Sequence, residues 1–216
     1  MQPLTRLIRE PFFRASGIVF TGSVAANALN YLFNLAAGRL LAPQGYGEAA
    51  TLVTLAMIVS IPAATLSTLL AKYVPQLKAH GRREHAALIF RLAQRSAWVV
   101  GIIFMAALLI ASPWMGRTLR LTLLPLMLFS ALLPINTAAA AVKGALQGEE
   151  QFSSFSAMAV IEAGGKLALT LVFFALGLAL PGVVLALVAS SAAAYLYGII
   201  RNILQCSSVY ACDPQK

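Results

Sequence analysis

Six apolar stretches divide this chain, and each is long enough to cross a lipid bilayer, which takes roughly 20 apolar residues. They cover residues 17–38, 47–70, 96–114, 121–146, 155–176 and 182–203. The chain is 60% hydrophobic and only 11% charged, whereas a soluble domain is roughly one quarter charged. The sequence therefore predicts an all-α, polytopic membrane protein. Residues 1–204 would form a bundle of six transmembrane helices, and residues 205–216 a polar, disordered tail.

The basic residues are distributed unevenly over the segments that connect these stretches. Twelve of the 16 Lys and Arg residues lie in the N-terminus, the second and fourth connections and the tail, with Lys143 counted in the fourth connection and Arg201 in the tail. Three lie in the first and third connections, and Lys166 lies within a stretch. Because cytoplasmic loops are enriched in Lys and Arg, we expect both termini to be cytoplasmic. The net charge of +9 then reflects membrane topology, not nucleic-acid binding.

The second connection, residues 72–95, is long and basic. In its later half, apolar residues alternate with Arg83, Glu84, Arg91 and Arg95, which lie largely on the opposite side of a helix. Such a pattern is typical of an amphipathic helix in the membrane interface. We therefore expect a surface helix that leads into the third span.

One charge lies deep in the fifth apolar stretch. Lys166 is near the middle of the apolar run 152–180, ~20 Å from either end at about 1.5 Å per residue, which is too far for its side chain to reach the interface. Glu162 precedes it by four residues and is expected to pair with it on one helix face. The pair either neutralises itself or forms an anion-binding lysine beside a titratable carboxylate. Because intramembrane charges commonly mark functional sites, a transport protein is the leading interpretation.

The first span carries a stripe of polar residues. Ser23, Asn27, Asn30 and Asn34 fall within an arc of roughly 60° at about 100° per residue. An unpaired amide in hydrocarbon costs several kcal/mol. The stripe therefore either lines a hydrophilic cavity or makes hydrogen bonds between helices.

Two predicted spans contain a proline near their centre, and the sequence lacks the common catalytic and metal-binding motifs. Pro62 and Pro134 lie within predicted spans and either act as hinges or only kink their helices. The sequence contains no H-E-x-x-H, G-x-S-x-G or P-loop motif, and Cys206 and Cys212 lack the spacing of a metal site. We therefore predict no enzyme activity, no metal site and no cofactor.

Residues 33–47, FNLAAGRLLAPQGYG, resemble the first helix end and first loop of bacterial polysaccharide (O-antigen type) flippases. These belong to the multidrug/oligosaccharidyl-lipid/polysaccharide exporter superfamily. The usual family turn is G-R-L-L-G-P-x-x-Y-G, and Ala42 stands where glycine is common. Residues 143–148, KGALQG, are also similar, and they precede a helix whose central basic residue is here Lys166. The resemblance covers about residues 12–200.

The resemblance implies a protein of the bacterial inner membrane that carries lipid-diphosphate-linked oligosaccharide from the inner to the outer leaflet. Two lobes would enclose a cationic cavity, and an ion gradient would drive the cycle. Lys166 would then attract the diphosphate, and the stripe of Ser23, Asn27, Asn30 and Asn34 would face sugar or water. Glu162 would be the proton- or cation-coupling residue.

The length of the chain departs from the family pattern, because members have 12 to 14 spans. The six spans correspond to one lobe, so we expect a truncated product or half of a split transporter that needs a second lobe or a homodimer. A drug or peptidoglycan-precursor exporter of the same superfamily is an open alternative. Two other classes remain: a non-transporting membrane scaffold subunit, and an integral-membrane enzyme, which the missing catalytic motifs disfavour.

Overall fold

A computed structural model of the chain describes residues 11–80, 83–118 and 121–211. Within these residues the chain forms helices joined by short connections and contains no β-strand. The helices are α1 (Pro11–Leu40), α2 (Pro43–Ala79), α3 (Arg83–Thr118), α4 (Leu123–Ser130), α5 (Leu132–Gly148), α6 (Phe152–Ala175) and α7 (Leu180–Ala211). With α4 and α5 taken together, six segments are long and apolar enough to cross a membrane. The predicted all-α class and all six spans are confirmed.

The helices pack in an order that differs from their order in the chain. α1 packs along α6, α6 along α7, and α7 against α5 and α4, while α5 is covered on its other side by α2 and α3. α1 and α2 contact each other only sparsely, although they are consecutive. A cluster that includes Leu41, Ala49 and Leu180 joins them near their shared loop, and a groove opens between them.

The centre of the lobe is α5, and small residues bring its neighbours close. Gly144 and Gly148, four residues apart, lie against the backbone of Ser67 and Ala71 in α2. A Cβ atom built on Gly144 would lie 2.7 Å from the Cα of Ser67. Spacing small residues by four places them on one helix face and lets two backbones approach in a membrane. The α2–α5 contact therefore depends on these glycines.

The fourth predicted span is two helices with a break at Ala131. Pro134 lacks the N–H that would bond to the Ser130 carbonyl, and its ring would clash with that carbonyl in a continuous helix. α4 accordingly ends at Ser130 and α5 begins at Leu132. α2, in contrast, continues through Pro62 and Pro75. Whether Pro62 or Pro134 acts as a hinge stays a prediction.

The prediction of a separate surface helix before the third span is wrong. α3 begins at Arg83 and runs without interruption to Thr118, because no glycine or proline separates its amphipathic start from its apolar part. The buried residues Ala86, Ala93 and Ala97 lie on one face of this single helix.

The last helix extends beyond the end of the sixth predicted span. α7 continues as a helix through Ala211, past the boundary predicted between residues 204 and 205. Residues 212–216, including Cys212, lie outside the described residues, as do residues 1–10, which contribute to the topology prediction. The division into a lobe and a disordered tail stays a prediction.

The packing at Gly144 yields a stability prediction. Gly144→Ala should lower the free energy of unfolding by about 1–3 kcal/mol, the usual range for overpacking, because the new methyl group meets the backbone of α2. Gly47→Ala is the matched control, since nothing lies within 4 Å of a Cβ atom there and alanine favours helix. Thermal unfolding of the purified chain in detergent measures both. Equal midpoints would contradict the close approach of α2 and α5.

Candidate binding site within the lobe

Lys166 lies on the side of α6 that faces α1. Its ammonium group donates a hydrogen bond to Asn30 Oδ1, and Nζ is 4.5 Å from the centre of the Phe33 ring. Both partners are neutral, and a cation over an aromatic face is attracted by the ring quadrupole. Lys166 is half-buried, about 14 Å from the end of α6 at Ala175. The ammonium is thus held by a carbonyl oxygen and a π face, and among the described side chains no carboxylate forms a salt bridge with it.

Glu162 pairs across helices instead of along its own. Its Oε2 lies 2.8 Å from Lys143 Nζ of α5, so its salt bridge is to Lys143. Lys166, four residues along α6, still lies within electrostatic reach of the carboxylate. Lys143 was expected in the fourth connection, whereas α5 extends to Gly148 and places Lys143 inside the helix. From there its side chain reaches α6, because α5 and α6 contact each other. The two side chains remain 30% and 32% exposed.

The site therefore carries one uncompensated positive charge. Lys143 and Lys166 supply two ammonium groups, and Glu162 supplies one carboxylate. Among the described side chains, the other acidic groups belong to other parts of the fold: Glu48 bonds to Thr122, and Glu149 and Glu150 lie in the turn between α5 and α6. An excess positive charge in a medium of low dielectric attracts anions strongly.

The polar stripe on α1 borders this site. Asn30 lies where the stripe meets the α1–α6 contact, and it is half-buried, whereas Ser23, Asn27 and Asn34 are exposed in the lobe. Asn34 Nδ2 donates to the Asn30 carbonyl at 3.0 Å. The structure thus brings Asn30 to Lys166 and leaves the rest of the stripe on an open face.

A groove of about 210 Å³ lies between α1, α2 and α7. Phe33 and Asn34 line it from α1, Tyr46 and Thr54 from α2, and Val184 from α7, with further apolar residues. Phe33 belongs both to the groove and to the Lys166 site. The Phe33 ring therefore contacts the ammonium of Lys166 and also lines a groove whose other lining residues include Asn34 and Thr54.

Thr170 extends the polar side of α6 by another turn. Its side chain is 1% exposed, and within the described part of the chain its hydroxyl has no hydrogen-bond partner. Thr170 follows Lys166 by four residues, as Lys166 follows Glu162, so the three share one helix face. A buried hydroxyl without a partner costs about 1–3 kcal/mol.

Sequence reasoning missed two charged residues that the structure places at key contacts. One is Lys143. The other is Glu48, which is 8% exposed and accepts hydrogen bonds from Thr122 N at 2.9 Å and Thr122 Oγ1 at 3.3 Å. Thr122 is the N-cap of α4, so the carboxylate satisfies a helix N-terminus. The sequence signal that could have indicated this contact is a single carboxylate, Glu48, at the start of an otherwise apolar helix.

Comparison with known proteins shows the fold. No protein-family model and no curated protein sequence matches the chain. It is similar to an outward-facing multidrug resistance MATE family transporter of the MOP superfamily, with a TM-score of 0.74 and 17% identity over 85% of this chain. It is also similar to a MOP superfamily transporter from Pyrococcus furiosus, described for the reverse polarity of its binding pocket, with a TM-score of 0.77 and 16% identity over 86% of this chain.

This chain spans 43% of the length of each of those two proteins. It therefore has the fold of one lobe of a MATE transporter. The predicted fold class, one lobe of a two-lobed exporter fold, is confirmed.

The hydrogen bond at Lys166 yields a matched pair of variants. Asn30→Leu should lower the free energy of unfolding by about 1.5–3 kcal/mol, the range for hydrogen bonds to charged groups, because the ammonium loses its acceptor. Asn27→Leu changes an exposed position of the same stripe and should shift stability by less than about 0.5 kcal/mol. Thermal unfolding in detergent compares the two. Equal losses would show that Asn30 does not support Lys166.

Proposed function

We propose that this chain is one lobe of a membrane transporter that moves lipid-diphosphate-linked oligosaccharide from the inner to the outer leaflet for polysaccharide biosynthesis. The observation that carries the proposal is the ammonium of Lys166, which is held by neutral groups beside a groove. The lobe fold and the resemblance of residues 33–47 and 143–148 to polysaccharide flippases support the same conclusion.

Electrostatics explains why Lys166 is suited to a diphosphate. Placing a lysine at the centre of a membrane costs about 2.5–3.5 kcal/mol on insertion scales. A full carboxylate partner would offset that cost but would also compete with an anionic substrate. Asn30 and Phe33 stabilise the ammonium without neutralising it. The positive charge consequently remains available to the ligand.

The other proposed site residues have three different roles: ligand binding, ion coupling and hinge bending. Ser23, Asn27, Asn30 and Asn34 present hydroxyl and amide groups that suit sugar hydroxyls or water. Glu162 is the proposed coupling residue, because taking up a proton or a cation would weaken its bridge to Lys143. Pro62 and Pro134 are the proposed hinges for alternating access. No residue of the site is assigned a catalytic, metal or cofactor role.

Partners and location follow from the same proposal. A single lobe does not enclose a two-lobed cavity, so the functional unit would include a second lobe or a second copy of the chain. The open face of the stripe would then border the shared cavity. We place the protein in the bacterial inner membrane with both termini cytoplasmic, on the basis of the Lys and Arg distribution.

Two alternatives fit the lobe fold. Another substrate of the same superfamily would use the same scaffold, and the exposed α1 stripe favours any ligand with several polar groups. A non-transporting scaffold subunit would instead bury the stripe against another protein.

Export in the cell tests the proposal. Lys166→Ala, introduced into the gene as the cell carries it, should lower surface polysaccharide at least about tenfold, which corresponds to about 1.4 kcal/mol of lost binding. Lys166→Arg should retain most of the export because it keeps the charge. Lys72→Ala, at an exposed lysine of α2, is the control. Unchanged export in Lys166→Ala would remove Lys166 from the mechanism.

Thiol labelling separates a cavity from a buried scaffold contact. In a chain with Cys206 and Cys212 replaced by serine, Asn27→Cys should react with a soluble maleimide, because the stripe would face water. Ala28→Cys lies at the same depth and is also exposed, but about 100° around the helix, so it should stay unreactive in lipid. Protection of both cysteines in the membrane would favour the scaffold.

A further inference from the structure

Glu162 lies between two ammonium groups. Lys143 Nζ is 2.8 Å from its carboxylate, and Lys166 follows one turn along α6 on the same face, where side chains four residues apart are neighbours. The carboxylate thus stands within an array of alternating sign: Lys143, Glu162, Lys166. The array joins α5, α6 and, through Asn30, α1.

We infer that Lys143 is the second cation of the binding site, and that the carboxylate of Glu162 is a tethered anion that occupies the place of a ligand's second anionic group. The ligand class is an organic diphosphate, whose two adjacent phosphates bridge Lys143 and Lys166. This inference rests on the proposed function and adds Lys143 to the residues that bind the ligand.

Charge balance supports a ligand with two anionic groups. With Glu162 engaged, the site carries one net positive charge and suits a single anionic group. With Glu162 displaced, Lys143 and Lys166 together carry two positive charges, which match the two charges of a diphosphate diester. Binding of the second phosphate therefore exchanges one ion pair for another and leaves no ammonium unpaired. The displaced Glu162 carboxylate, 32% exposed, then takes up a proton or is hydrated, because an unpaired charge is costly away from water.

Exposure makes this exchange possible. The side chains of Lys143 and Glu162 are 30% and 32% exposed, so neither is sealed in the core. Partly exposed ion pairs contribute little to stability, and phosphate oxygens are strong acceptors for ammonium groups. The bridge is therefore weak enough for a diphosphate to replace it, whereas a fully enclosed pair would resist.

Isothermal titration of the full chain in phosphatidylcholine nanodiscs tests the inference, with inorganic pyrophosphate as the probe and methanesulfonate as the singly charged control. Glu162→Gln should tighten pyrophosphate binding about tenfold, because the competing carboxylate is gone. Lys143→Met should weaken it about tenfold. Lys143→Met should change the methanesulfonate affinity no more than about twofold, because Lys166 suffices for one charge, and Glu162→Gln should tighten methanesulfonate binding less than pyrophosphate binding.

A double variant guards against misfolding, because Lys143→Met alone leaves Glu162 without its partner. The variant Lys143→Met with Glu162→Gln removes both charges, and it should lack the gain in pyrophosphate affinity seen with Glu162→Gln. Lys72→Met, far from the array in sequence and exposed, is the control for general basicity. If the double variant binds as tightly as Glu162→Gln, Lys143 is not part of the site.

Lys166→Met distinguishes this inference from the proposed function. Suppose that Lys166→Met loses pyrophosphate binding, while the Lys143 and Glu162 variants keep the pyrophosphate affinity of the unmodified chain. That result would overturn the two-cation site but would leave Lys166 as a site for a single anion. Unchanged binding in Lys166→Met as well would overturn both.

Discussion

The binding site depends on an ammonium group within membrane-spanning helices that forms no salt bridge with any of the described carboxylates. Lys166 is stabilised by Asn30 and Phe33 of α1, while the nearby carboxylate of Glu162 is engaged by Lys143. This division leaves one positive charge free to act on a ligand. Had Glu162 paired with Lys166, the site would be neutral at that point, and Lys143 would carry the excess charge instead.

Small residues at helix contacts allow this arrangement. Gly22 of α1 lies against Ser156 of α6, and Gly165 of α6 lies against Ser190 of α7. These close approaches bring α1 within reach of the Lys166 side chain and leave the groove between α1 and α2 open. The same principle fixes α2 on α5 through Gly144. Packing of small residues thus determines which polar side chains meet, although none of these glycines carries chemistry.

The sequence predicted the spans well, because membrane helices are specified by long apolar runs that local composition reveals. It placed Lys166 inside the fifth span, although α6 ends at Ala175, nearer to Lys166 than expected. It also placed Asn30 and Asn34 on one helix face, which follows from helical periodicity. It did not predict the Lys143–Glu162 bridge or the bond between Asn30 and Lys166. Those contacts join helices that are distant in the chain, and a single sequence does not reveal which helices are neighbours.

The errors have local causes. The pair within α6 was expected because Glu162 and Lys166 are four residues apart, but a cation on α5 engages the carboxylate. The helix α3 was expected in two parts because its charge pattern changes near Ser96, yet a change in polarity does not interrupt a helix. The bond from Glu48 to Thr122 was missed since it links the start of α2 to the start of α4.

The most direct test of the central claim is the reactivity of a cysteine at Asn34, which lines the groove beside Phe33. In a chain with Cys206 and Cys212 changed to serine, the rates at which an anionic and a cationic methanethiosulfonate reagent modify this cysteine are measured. Each rate is divided by the rate of the same reagent with a small free thiol, which corrects for the intrinsic reactivity of the reagent. The account predicts that the anionic reagent reacts faster by this measure, and that Lys166→Met abolishes the preference. A ratio that Lys166→Met leaves unchanged would contradict a free positive charge at this site.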